Sequence, residues 1–144
     1  MWSRQLGGSW LPAARVSADN AVPDITPSLT AAGPGALLAW SRYDGNDYRL
    51  MLARFAGGEW RDERVAGGAG TLFPTFNGDR DRPRLVYQAV AAGGWAADEL
   101  DAEGRVVRRV DLPSARTDRP VVAAAGSELR LAWPTAGAAP AEER

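Results

Sequence analysis

The chain has 144 residues, a formal net charge of −1 and a hydrophobic fraction of 45%. That apolar content suffices for a packed core and argues against global disorder, and the near-zero charge gives no long-range pull toward nucleic acid or an anionic membrane. Cysteine and histidine are both absent, which excludes disulfides, thiolate nucleophiles, His-based acid–base catalysis, a Ser-His-Asp triad and most transition-metal sites within this chain.

All 17 basic residues are arginine, which we read as compositional bias rather than as a binding signal. No apolar run reaches the roughly 18 residues needed to cross a bilayer. Met1-Trp2-Ser3-Arg4 leads into polar residues and glycines, without the apolar stretch of a signal peptide. The compartment is not legible; extracellular or periplasmic placement would follow if a parent protein carries a signal peptide.

In chain order, residues 1–16 match the second half of a unit met again downstream. Arg4, Gly7, Gly8 and Trp10 align with Arg54, Gly57, Gly58 and Trp60 at a constant offset of 50. Residues 25–66 then read as four short antiparallel strands. The first covers 27–30. The second, 37–40, is apolar on both faces, as a strand packed between two layers would be. Asp44-Gly45-Asn46-Asp47 is hairpin-turn chemistry. Strands over 48–55 and 60–65 follow, joined at Ala56-Gly57-Gly58. Residues 72–112 repeat the scheme, with strands at 75–76, 84–88, 96–100 and 105–112 and a turn at Glu103-Gly104. Residues 119–133 match the first half of a unit. Residues 134–144 lack periodicity and read as a disordered tail.

The units share a register. A proline at 27, 74 and 120 precedes an aromatic by thirteen residues, at Trp40, Tyr87 and Trp133. The spacing between successive copies is 47 and then 46 residues. Leu38, Leu85 and Leu131 stand two before the aromatic; Leu29, Phe76 and Val122 stand two after the proline. A four-stranded antiparallel unit recurring at this period predicts an all-β fold of β-propeller blades. Two whole units and two halves make about three blade-equivalents within residues 1–133. Propellers have about four to eight blades, so the expectation is a partial propeller or half of an oligomeric ring. Its partners are then the remaining blades of a longer parent chain, or a second copy in a homodimer that completes a six-bladed ring.

Ser3-Arg4-Gln5-Leu6-Gly7-Gly8-Ser9-Trp10 resembles the Ser-x-Asp-x-Gly-x-Thr-Trp pattern of Asp-box (BNR) repeats, with Gln5 for Asp and Ser9 for Thr. Residues 53–60 keep Gly57 and Trp60 of that pattern; residues 99–106 keep Asp101 and move the glycine to Gly104. The chain is thus similar to a degenerate member of the sialidase-like β-propeller superfamily. The resemblance implies that these boxes are structural staples, remote from the sialidase active site. Sialidase catalysis in that family uses three arginines, a Tyr–Glu pair and an Asp. Its Arg-Ile-Pro segment is absent here, the nearest string being Asp118-Arg119-Pro120, so no catalytic residue, metal or cofactor is carried over.

On the blade scheme, one rim collects Asp19, Asn20, Asp24, Arg42, Tyr43, Asp44, Asn46, Asp47, Gln88, Trp95, Arg116 and Asp118. Of these, Arg42, Tyr43, Asp44, Asn46, Asp47, Trp95 and Asp118 are the candidate ligand residues. The 42–47 cluster offers a guanidinium, a stacking ring and carboxylates, yet its residues are also ordinary turn formers. Asp44, Asn46 and Asp47 supply oxygens to which a calcium ion could bind, without the closing Glu of an EF-hand. Two carboxylates can hydrolyse a glycoside without His, but five loop aspartates also fit a solvated surface. Trp95, off the grid in a Gly-Gly-Trp-Ala stretch, is the candidate for an exposed stacking ring. Gly7, Trp10, Pro27, Leu38, Trp40, Gly57, Trp60, Pro74, Leu85, Tyr87, Pro120, Leu131 and Trp133 read as the structural grid, with Trp40, Trp60 and Trp133 between blades. Alternation of Arg80, Arg82 and Arg84 with Asp79 and Asp81 reads as a neutralised edge. The leading functional expectation is a non-catalytic module binding a glycan or protein on its loop rim. A fragment of a sialidase-like hydrolase and a purely structural repeat are the alternatives.

Overall fold

The computed structural model describes residues 1–112, 120–125 and 128–132. Arg116, Asp118, Trp133, the tail over 134–144 and the Leu131 side chain lie outside the described residues.

The architecture is all-β. A hairpin of β1 (Gln5–Leu6) and β2 (Ser9–Trp10) is followed by a four-stranded antiparallel sheet, in spatial order β3 (Asp24–Ala32), β4 (Gly35–Tyr43), β5 (Tyr48–Ala56), β6 (Glu59–Ala69). A second four-stranded antiparallel sheet contains β7 (Thr71–Gly78), β8 (Pro83–Ala89), β9 (Gly94–Leu100) and β10 (Val106–Leu112), and a hairpin of β11 (Val121–Ala125) and β12 (Glu128–Ala132) ends the described chain. The tight turns follow from glycine pairs. Gly7 and Gly8 have φ of 57° and 83°, and Gly57 and Gly58 have φ of 63° and 91°, the left-handed pair that matches the twist of two-residue hairpins.

Strands β3 and β7 overrun their predicted limits for one shared reason. β3 and β7 each contain a bulge where the alternation breaks, between Ile25 and Ser28 and between Leu72 and Thr75. The residue before the proline, Thr26 or Phe73, sits there at φ of 52° or 55°, a conformation rarely adopted by β-branched or bulky side chains. Proline cannot donate to a ladder, so it belongs on an edge strand or a bulge; here it has both. The pairings Ser28↔Ala39 and Thr75↔Val86 stand at the same places in the two sheets, so the 47-residue offset is also a backbone register.

Layers stack in chain order. Leu37 and Ala39 of β4 and Leu50 and Leu52 of β5 pack against Leu85, Tyr87, Ala96 and Leu100 of the second sheet. Burying each large side chain contributes roughly 1.5–3 kcal/mol. Two serines of the first sheet accept from bulged β7: Phe76 N–H donates to Ser28 Oγ at 2.9 Å and Phe73 N–H to Ser41 Oγ at 3.1 Å. These bonds satisfy one amide in the bulge and one on the outer edge of the sheet, and buried amides must be paired. The far side of the second sheet, with Val86, Trp95 and Ala97, meets Val122 of β11, and Asn77 Nδ2 donates to the Val122 carbonyl at 3.0 Å.

Candidate binding surface

Consider the side of the first sheet that faces away from the second. β5 and β6 present Met51, Ala53, Phe55 and Trp60 there, and the N-terminal segment covers them. Trp2 lies edge-on to Phe55 at 4.9 Å and to Trp60 at 5.9 Å between centroids, and Val16 packs on the cluster of Trp40, Met51 and Ala53. The neighbouring part of the same side is less covered, with Pro27 and Leu29 of β3 exposed and Leu38 of β4 half-buried. There a cleft of about 340 Å³ is lined by Trp2, Val16, Pro27, Leu29, Leu38 and Trp40 among others.

One wall of this cleft is polar and fixed. Trp40 Nε1 donates to Asp24 Oδ1 at 3.0 Å, and the Arg42 guanidinium lies over the Trp40 ring at 5.5 Å. Arg42 donates to Asp24 at 2.8 Å and to Glu63 at 2.6 Å. Burial works to raise the Asp24 carboxyl, but hydrogen bonds from Arg42, Asn20 and Trp40 and the charge of Arg42 hold it below its ordinary value. With its N–H engaged, the Trp40 ring is locked as the cleft floor.

The repeat shows how open this side is. Leu29, Phe76 and Val122 occupy one register position in three successive units. Phe76 packs into the core shared with the first sheet, Val122 packs on the second sheet, and Leu29 is 62% exposed. Pro74 and Pro120 are buried, whereas Pro27 is exposed.

Of the candidate residues read from sequence, Arg42 stands at this cleft; the others that the structure describes fall elsewhere. Asp44 Oδ1 accepts from the amides of Asn46 and Asp47 at 3.0 and 2.9 Å, and its other oxygen takes Arg49 Nε. The Arg49 bond, followed by the two amides, lowers the Asp44 carboxyl to about 2. Tyr43 Oη donates to the Gly45 carbonyl at 3.0 Å, and Asp47 Oδ1 accepts from the Tyr48 amide at 2.7 Å. The cluster over 42–47 is therefore a hairpin turn whose charges are engaged by its own neighbours. Its loop does reach the connection between the two sheets, where Gly70 N–H donates to the Tyr48 carbonyl at 2.9 Å.

Two aromatic expectations differ in the structure. Trp95 is 3% exposed and lies with Val86, Ala97 and Val122, so it offers no exposed ring. Strand β9 begins at Gly94, two residues earlier than predicted, and the alternation of that strand turns Trp95 into the layer gap. Its indole N–H finds no hydrogen-bond partner among the described residues. Trp10, placed on the structural grid, is 70% exposed at the tip of the first hairpin.

One polar cluster escaped sequence reasoning. The Asp98 carboxylate, 1% exposed, accepts from Arg109 Nε at 2.7 Å, Arg109 Nη2 at 2.8 Å and Tyr87 Oη at 3.2 Å. Asp98 and Arg109 are direct cross-strand partners on β9 and β10. The available signal was a lone acid on the inward side of a strand otherwise carrying Ala96 and Leu100. Such a bidentate pair fixes register and leaves no reactive carboxylate.

No protein-family model matches the chain, and neither a curated protein nor a solved structure matches it.

Proposed function

We propose that this chain is a non-catalytic repeat module of the β-propeller type, and that its working surface is the open side of the first sheet, where it docks a protein. The observation that carries this reading is the contrast among Leu29, Phe76 and Val122: one apolar position, packed in two units and 62% exposed in the third. An apolar cleft beside a locked tryptophan suits a desolvated protein contact, since such contacts centre on well-packed aromatic and aliphatic anchors. The 42–47 turn is a weaker locus for a glycan, because a ligand would have to displace bonds that its side chains already make. For a sialidase-like hydrolase, the paired carboxylates at Asp44 and Asp98 supply no support.

A photo-crosslinking residue tests the locus. Placed at Leu29 in the protein expressed in its native host, it is expected to give discrete protein adducts, while the same residue at Asn46 gives none. Adducts at Asn46 alone, or glycan binding abolished by replacing Tyr43 and Asp44 with Ala, would move the working surface to the rim and overturn the reading.

A further inference from the structure

We infer that the occupant of the open side is the C-terminal hairpin, β11 and β12, of a second copy of this chain; this rests on the reading of that side as a protein-docking surface. The chain carries its own template for the contact. Where the first sheet meets the second, the covering side presents Ser28, Leu37 and Ala39, and the covered side presents Phe76, Leu85 and Tyr87. In the repeat register, the covering positions recur in the last hairpin as Val121, Arg130 and Ala132. The covered positions recur in the first sheet as Leu29, Leu38 and Trp40.

Both sets are open. Val121 is 66% exposed, and Ala123, Arg130 and Ala132 are exposed with it; they are cross-strand partners on one side of the hairpin, while Val122 on the other side packs on the second sheet. Strand count agrees as well. The N-terminal segment covers β5 and β6 and reaches Trp40 of β4 through Val16, which leaves the cleft beside Leu29 and Leu38 for a two-stranded hairpin.

The same chain cannot supply its own hairpin. That hairpin is held on the far side of the second sheet, and stacked sheets lie about 10 Å apart, which puts two layers between hairpin and cleft. A second copy meets no such barrier. If each copy gives its hairpin and receives the other's, the contact is self-complementary and closes with two-fold symmetry.

The template also selects a test. Phe76 N–H to Ser28 Oγ is a 2.9 Å contact between layers, and its equivalent across copies pairs Val121 of one chain with Leu29 of the other. The chain has no native cysteine, so engineered thiols report cleanly. Leu29→Cys and Val121→Cys, each at an exposed position and each checked for folding by circular dichroism, are mixed and mildly oxidised. Held in contact, the two thiols are expected to give roughly tenfold or more disulfide-linked dimer over either variant alone, and over Asn46→Cys mixed with Val121→Cys. The double variant is expected to give a dimer with two bridges. No enrichment in the mixture, or closure of the double variant into a bridged monomer, would overturn the second copy as occupant. If the crosslinker at Leu29 then still captures a different protein, the docking reading stands and only this occupant falls; if it captures nothing, both fall.

Discussion

At the scale of the residue, the charged groups of this chain are mostly spent on local order. Asp44 shows it best: one oxygen caps the turn through two amides and the other pairs with Arg49. Its carboxyl is lowered from 3.8 to about 2. A depressed folded-state value means the unfolded chain takes up the proton first, so the stabilisation is whole above the ordinary value and fades as pH falls toward the folded one. Asp44→Asn is therefore expected to lower the urea midpoint at neutral pH, with the gap to wild type closing between about pH 4 and pH 2. A gap that persists unchanged at pH 2 would show that the charge plays no part. The 42–47 cluster was legible as a polar turn. Its lack of spare valence was not, because Asp24, Glu63 and Arg49 reach it from other stretches of chain, and a sequence does not show which side chains meet.

Between elements, the junction of the two large sheets depends on the bulges of β3 and β7. Ser41 receives the Phe73 amide from the β7 bulge, and Ser28 the Phe76 amide from the same edge strand. Ser28→Ala leaves the Phe76 amide without that acceptor, at an expected cost of about 1–3 kcal/mol. Hydrogen exchange at the Phe76 amide should accelerate with it. Equal urea midpoints and unchanged exchange for Ser28→Ala and wild type would show that the bond does not hold the layers together.

The sequence disclosed strand order well, since glycine pairs and Asp44-Gly45-Asn46-Asp47 mark turns with a stated backbone geometry. It under-measured β3 and β7, because the residue inserted before Pro27 and Pro74 breaks the two-residue alternation from which strand length is read. Trp95 was misplaced by the same limit: the glycines before it look like a turn, and only the pairing of β9 with β8 shows that the strand has already begun.

Across the described residues, two four-stranded sheets are flanked by two small hairpins. Hairpins of two strands are marginal alone, so each depends on what lies beside it. β11 and β12 pack on the second sheet through Val122, whereas Leu6 and Trp10 of the first hairpin are 63% and 70% exposed. The repeat was visible in sequence, but an equal residue at an equal position says nothing about whether a neighbour is present. Leu29 and Phe76 look alike in the chain and differ in the fold only because one has a layer over it. That difference is the ground on which we propose the open side, rather than the 42–47 turn, as the docking surface.

The two-copy contact is open to a direct check in the solution mass of the 144-residue chain beside Leu29→Glu, measured by light scattering on a sizing column. Leu29 is exposed, so the substitution should change monomer stability by no more than about 0.5 kcal/mol, while placing a charge where a partner layer would seat. Wild type is expected at twice the chain mass and Leu29→Glu at the chain mass, both with the same β-sheet circular dichroism. A wild-type monomer, or a Leu29→Glu dimer as tight as wild type, would contradict the second copy as the occupant of that side.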